Sequence, residues 1–254
     1  MTARPLSPAE MYPASAAGVS ARMIELSTQI RVRVAECGPS TGLPLVLLHG
    51  WGASLYTFRH AFERMPLRGF RVIAADLRGF GLSDKPARGG AYSFDAYAAD
   101  LEALLGALGL ERAVLGGHSM GGGLALHFTL THPERVSALA LINPTSLVPA
   151  TAMLPVRAMP TWMVEMAGRR LVPRWVVGLI LARIAYGDAS RVTARDIDEY
   201  WAPTQLPGYV RAVRRTASDF NWTPLTRAEA ATLSVPATVV LGASDRLVRH
   251  AGEP

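Results

Sequence analysis

A serine hydroxyl becomes a useful nucleophile when it projects clear of the backbone and a base can take its proton. The run Gly117-His118-Ser119-Met120-Gly121 meets the first condition. A short apolar run, residues 113–116, lies ahead of it, and a helical pattern follows. A G-x-S-x-G serine needs this strand–turn–helix setting to stand exposed on a sharp turn. Gly116, Gly117, Gly121, Gly122 and Gly123 remove the bulk that would hold strand and helix apart. A phosphate-binding loop is the competing reading. It fails because G-x-x-x-x-G-K-[ST] is absent and G-x-G-x-x-G does not occur at this turn. Ser119 is therefore read as a nucleophile.

The elements that must position Ser119 are legible as alternating patterns. Residues 22–26 and 30–35 alternate apolar and polar side chains, as half-buried strands do. Residues 44–48, 70–75, 113–116, 136–142 and 237–241 are continuous apolar runs, which suit strands buried on both faces of a mainly parallel sheet. Residues 94–108 carry Leu101, Leu104, Leu105 and Leu108 on one helical stripe, with Ser93 as cap, Asp95 in the first turn and Gly109 as stop. Strands alternating with helices predict an α/β fold with a doubly wound sheet. The rhythm breaks between Asn143 and Arg227, where prolines, tryptophans and helical stretches replace strands. Within that break, Thr193-x-x-Asp196 reads as a capping box opening a helix that stops before Pro203. The expected organisation is a loose arm over 1–20, an α/β core over 21–143 and 228–254, and a helical cap over 144–227.

Composition narrows the class. Of 254 residues, 50% are apolar and 18% charged, enough for one folded domain with a sizeable core. The net charge is +6 and the pI about 10, yet the arginines are scattered. Arg169, Arg170 and Arg174 come nearest to a patch and read as a solvated helix face, so no nucleic-acid partner is expected. The single Cys37 excludes an intramolecular disulfide. The first 20 residues lack a secretory apolar stretch, and the uncharged segment 136–156 is interrupted by Asn143, Pro144, Pro149 and Pro155. No membrane partner is expected, and the default location is cytoplasmic.

Leu48-His49-Gly50-Trp51-Gly52 follows the third strand. With the elbow, it makes the chain resemble the α/β-hydrolase superfamily in its cap-bearing, cofactor-independent branch, from about Arg22 to Pro254. The resemblance implies that Trp51 and Met120 give backbone N–H groups to an oxyanion hole, and that His49 is structural. It reads the Asp76–Ser83 segment, with its glycines, as scaffold. It places the triad acid at Asp245, just past the last strand. Some relatives carry the acid one strand earlier, where this chain has Asn143, which cannot serve. It implies no cofactor, and no metal-ligand cluster is visible in the sequence.

The resemblance also implies a histidine one strand beyond the acid. Pro254 follows nine positions after Asp245, so the last strand, the histidine loop and the final helix are expected to be missing from this chain. His250 follows Asp245 too closely to reach Ser119 while bonding the carboxylate. His118 should face away from Ser119 by strand alternation, His127 and His132 lie along the following helix, and His60 is remote. The expected activity is hydrolysis of a small-molecule carboxylic ester through an acyl-enzyme. Haloalkane dehalogenases and epoxide hydrolases of the family carry aspartate at the elbow. A lactonase, a carbon–carbon bond hydrolase or a cofactor-free haloperoxidase shares the serine, and a non-catalytic binding remnant is the alternative of another class. Trp162, Met163, Met166, Trp175 and Trp201 read either as the lining of an apolar acyl pocket or as cap core.

Overall fold

The computed structural model describes residues 4–14, 16–147, 154–158, 160, 172–243 and 245. Among these, seven strands form one sheet: β1 (Ser20–Glu25), β2 (Arg31–Cys37), β3 (Leu43–Leu48), β4 (Phe70–Ala75), β5 (Ala113–His118), β6 (Val136–Ile142) and β7 (Ala237–Val240). Their order is β1-β2-β4-β3-β5-β6-β7. The β1–β2 and β2–β4 pairs are antiparallel, and the four others are parallel. The α/β fold and mainly parallel sheet expected from the sequence are present.

The continuous apolar runs have a direct physical cause. Successive strand residues point to opposite faces, and both faces here are covered. Val46, Leu48, Ile73, Ala75 and Leu115 join one core cluster, while Leu45, Leu47, Val72 and Ala74 join another with Leu55, Phe58 and Phe62. The helices that cover them are α1 (Arg59–Arg64), α2 (Phe94–Ala107) and α3 (Met120–Thr131). Ser93 caps α2 by accepting the Ala96 N–H at 3.3 Å, and Gly109 ends it with a φ of 65°.

Between β6 and β7 no strand is found among the described residues. Among the described residues, five α-helices occupy this stretch: α4 (Leu154–Ala158), α5 (Arg174–Ile180), α6 (Ala194–Trp201), α7 (Tyr209–Asp219) and α8 (Arg227–Ala231). The Thr193–Asp196 capping box opens α6 as expected. Val177, Leu181 and Trp201 form a small separate core under α5 and α6. The later part behaves differently from the expected cap over 144–227. Tyr209, Ala212, Phe220 and Trp222 belong to the main core cluster. The cause is the stripe Tyr209, Ala212, Thr216 and Ala217, which recurs at helical spacing and buries one face of α7.

The N-terminal residues also depart from expectation. Where a loose arm was foreseen, residues 4–14 dock onto the protein. Met11 is 2% exposed, and the Tyr12 N–H donates to buried Glu199 at 2.7 Å. Arg195 donates to the Glu10 carbonyl at 2.7 Å, and Arg33 donates to that of Tyr12. The Tyr12 ring meets Tyr56 edge-on at 5.7 Å. These anchors lie far apart in sequence, so no local periodicity announces them. No described helix is long and apolar enough to cross a membrane.

Candidate active site

Ser119 sits between β5 and α3 with φ 52° and ψ −117°. A positive φ is uncommon for a side chain with a Cβ and costs on the order of 1–3 kcal/mol unless its surroundings enforce it. Three backbone bonds enforce it here. The Ser119 N–H donates to Ile142 O at 2.9 Å, and its carbonyl accepts from Gly123 at 3.0 Å and Thr145 at 3.2 Å. The turn closes because Gly121 has no side chain: a Cβ there would collide with the Leu48 and His49 carbonyls at the end of β3.

That contact brings the His49-Gly50-Trp51-Gly52 loop beside the elbow. A Cβ on Gly50 would lie 3.0 Å from His118 Nδ1 and 3.2 Å from Ser119 Cβ. The loop turns back through the Ala53 N–H to Gly50 O bond at 3.2 Å, with Gly52 at φ 75°. His49 is buried and pins the loop. Its Nδ1 donates to Gly50 O at 2.8 Å, and its Nε2 accepts the Leu77 N–H at 3.0 Å. Burial holds its pKa below the ordinary histidine value, which suits this neutral tautomer. Neither the Trp51 nor the Met120 N–H donates to an acceptor among the described residues. Met120 opens α3, where the first N–H groups of a helix lack intrahelical partners.

Asp245 lies past β7, its N–H donating to Gly242 O at 3.0 Å. Its carboxylate accepts from Asn143 Nδ2 at 2.5 Å, and Asn143 Oδ1 accepts the Gly242 N–H at 2.7 Å. Asn143 thus bridges the ends of β6 and β7. In the sequence Asn143 stands only where some relatives carry the acid, and an amide gives no signal as a brace. Its φ of 42°, in the left-handed region that Asn tolerates, is the structural mark of the role.

The described histidines sort by environment, and none is hydrogen-bonded to Ser119. His60 pairs with Glu63, the His127 ring lies 5.2 Å from Phe94, and His132 stacks on Phe128 at 4.6 Å. His118 is less remote than strand alternation suggests. Its Nδ1 is buried against the Gly50 loop, without a hydrogen-bond partner among the described residues. Burial lowers its pKa, and the nearby Asp245 carboxylate opposes that shift. His250 lies outside the described residues.

The Asp76–Ser83 segment is scaffold in the literal sense. Asp76 accepts the Leu55 and Leu82 N–H groups, each at 2.8 Å, and buried Arg78 pairs with Asp100 at 2.5 Å. Of the aromatic and Met residues considered for an acyl pocket, Trp201 is buried in the α5–α6 core and Trp175 is 70% exposed. Trp162, Met163 and Met166 lie outside the described residues, as do Arg169 and Arg170. Arg174 pairs with Asp198 at 2.6 Å.

Residues 44–253 match the family described as alpha/beta hydrolase fold. The chain is 40% identical over 114 residues to the AB hydrolase superfamily protein YisY of Bacillus subtilis, covering 45% of this chain and 41% of that one. It is 38% identical over 127 residues to epoxide hydrolase A of Mycobacterium tuberculosis, covering 48% and 39%. The chain thus matches less than half the length of either relative. Among solved structures, a probable hydrolytic enzyme from Pseudomonas aeruginosa PAO1 superposes with a TM-score of 0.69 at 27% identity, covering 91% of this chain and 75% of that one. A ligand-free epoxide hydrolase shares the fold at a TM-score of 0.74 and 23% identity, covering 89% and 83%. With its family match running from β3 past β7, this chain belongs to the α/β-hydrolase family.

Proposed function

We propose that the protein is a serine hydrolase of carboxylic esters or closely related acyl substrates, working through an acyl-enzyme on Ser119. The observation that carries this reading is the strained Ser119 turn beside the Gly50 loop, with the Trp51 and Met120 N–H groups donating to no acceptor among the described residues. Strain at such a turn serves to present the hydroxyl, and fixed donors beside it stabilise charge that develops on an acyl oxygen.

In the proposed reaction, an imidazole oriented by Asp245 takes the Ser119 proton as Oγ attacks the acyl carbon; no described histidine is hydrogen-bonded to Ser119, so that imidazole comes from outside the described residues. The resulting oxyanion rests on the Trp51 and Met120 N–H groups. The bond to the leaving alkoxide then breaks, and the alkoxide departs with the proton held by the base. Water attacks the acyl-enzyme by the same route and releases the carboxylate, restoring Ser119. Neither metal nor organic cofactor enters these steps.

Several relatives are epoxide hydrolases, and serine chemistry argues against carrying that activity over. Attack of Oγ on an epoxide carbon would leave an alkyl ether, which has no carbonyl for water to attack. A carboxylate nucleophile would leave a hydrolysable ester. Lactone, carbon–carbon bond and peracid chemistry use the same serine and differ in the bond that breaks or in the acceptor of the acyl group.

The test is labelling by a fluorophosphonate probe, followed by a substrate panel of esters, lactones, vinylogous diketones and epoxides. Labelling should fall on Ser119 and vanish in Ser119→Ala, with turnover greatest on the esters. Absence of labelling in the folded chain, or epoxide turnover that survives in Ser119→Ala, would sink the reading.

A further inference from the structure

We propose that α7 is a positioning element for the oxyanion-binding loop, acting through the Tyr209 hydroxyl and the Val213 carbonyl. The proposal rests on the reading of Trp51 and Met120 as oxyanion donors. Tyr209 Oη donates to Gly52 O at 2.9 Å, and Trp51 Nε1 donates to Val213 O at 2.9 Å. The two bonds grip the turn at the Trp51 side chain and at the following carbonyl. The turn itself is closed by one longer bond, Ala53 N–H to Gly50 O at 3.2 Å.

The helix making the grip is itself packed into the main core. Ala212 packs over Gly79, where an added Cβ would lie 3.0 Å from the Ala212 Cβ. Tyr97 Oη and Thr216 Oγ1 share a hydrogen bond at 2.9 Å, and the Tyr209 ring lies edge-on to Phe80 at 6.3 Å. Trp222 Nε1 holds the far end by donating to Ala217 O at 3.1 Å. Burial pushes the Tyr209 phenol well above its ordinary pKa, so the hydroxyl keeps its proton and keeps donating. An oxyanion donor lowers a barrier only if it is already aimed before charge develops. A short turn bonded twice to a packed helix satisfies that requirement, and rigid supporting elements position such groups better than loops do. Residues from a stretch that looked like cap would thereby set the geometry of the reaction centre.

Tyr209→Phe in the full chain removes the hydroxyl and keeps the ring packing. Two readouts decide the matter: the saturable kinetics of fluorophosphonate labelling at Ser119, and hydrogen exchange across residues 50–53 with the Trp51 indole. The labelling rate at saturation should fall about tenfold, a fraction of the ~10²–10³-fold loss on removing a whole oxyanion donor. The half-saturating probe concentration should not change, and exchange should accelerate at 50–53 but not in β4 or α3. A generally loosened fold would move all of these together.

Wild-type labelling with an unchanged rate in Tyr209→Phe overturns the proposal. If the wild type does not label, the ester reading falls by itself. The brace is then judged by exchange, where acceleration confined to 50–53 upholds it and no change overturns it. Should Tyr209→Phe fail to fold, Trp51→Phe severs the other bond, and the same outcomes apply to it.

Discussion

Asn143 occupies the turn after β6 in a conformation that most side chains resist, with its amide spent on Asp245 and on the Gly242 N–H. Hydrogen bonds to a charged group contribute about 1.5–3 kcal/mol, more than neutral ones. Replacing Asn143 with Gly keeps the left-handed backbone accessible and deletes only the brace. On the proposed mechanism Asn143→Gly should slow Ser119 labelling about tenfold, the equivalent of ~1.4 kcal/mol, and lower the urea midpoint through the lost bonds to Asp245 and Gly242. A rate within twofold of wild type would mean that Asp245 needs no such support. The serine announces itself because its glycine neighbours are unusual in sequence. Asn143 does not, because an amide that bridges two strand ends looks like any turn asparagine.

At the scale of elements, the N-terminal residues and α6 form one unit. Glu199 on α6 accepts the Tyr12 N–H and pairs with Arg195 at 2.5 Å, while Tyr56 donates to Asp196 at 2.9 Å on the same helix. The arm, the segment after β3 and the α5–α6 region are thus tied together by buried and half-buried polar bonds. Removing one partner leaves a buried donor unpaired at a cost of about 1–3 kcal/mol. Glu199→Ala should lower the urea midpoint accordingly and open the 4–14 segment to limited proteolysis. Unchanged cleavage in that segment would show that the arm holds without Glu199. The division of the helical stretch follows the same logic. α5 and α6 pack on each other, whereas α7 packs on the main core and on the Trp51 turn, so sequence position alone does not say which helices belong to a cap.

For the whole molecule, stability should fall on mild acidification. His49, His118 and His127 are held below their ordinary pKa by burial. The unfolded chain takes up these protons near pH 6.5, and the folded chain only at lower pH. Below about 6.5 the unfolded state therefore binds more protons, and folding stability declines by up to about 1.4 kcal/mol per pH unit for each histidine. Glu199, raised by burial, opposes this with a single proton. Carboxylates held low, such as Glu36 and Asp196, matter only below the usual carboxylate range. Urea midpoints measured from pH 7.5 to 5 should decline, and a flat profile would refute the account. What the sequence determined by itself was local: strand and helix positions, the capping box of α6, the elbow at Ser119 and the loop after β3. Each is written in neighbouring residues, through alternation, helical spacing or a glycine-lined turn. The tertiary structure decided what joins residues distant in sequence: the docked arm, the Asn143–Asp245 bridge, the place of His118 beside the Gly50 loop, and the bond of Tyr209 to Gly52. Such contacts depend on how buried faces meet in space, and a period of two or of 3.6 residues carries no record of that meeting.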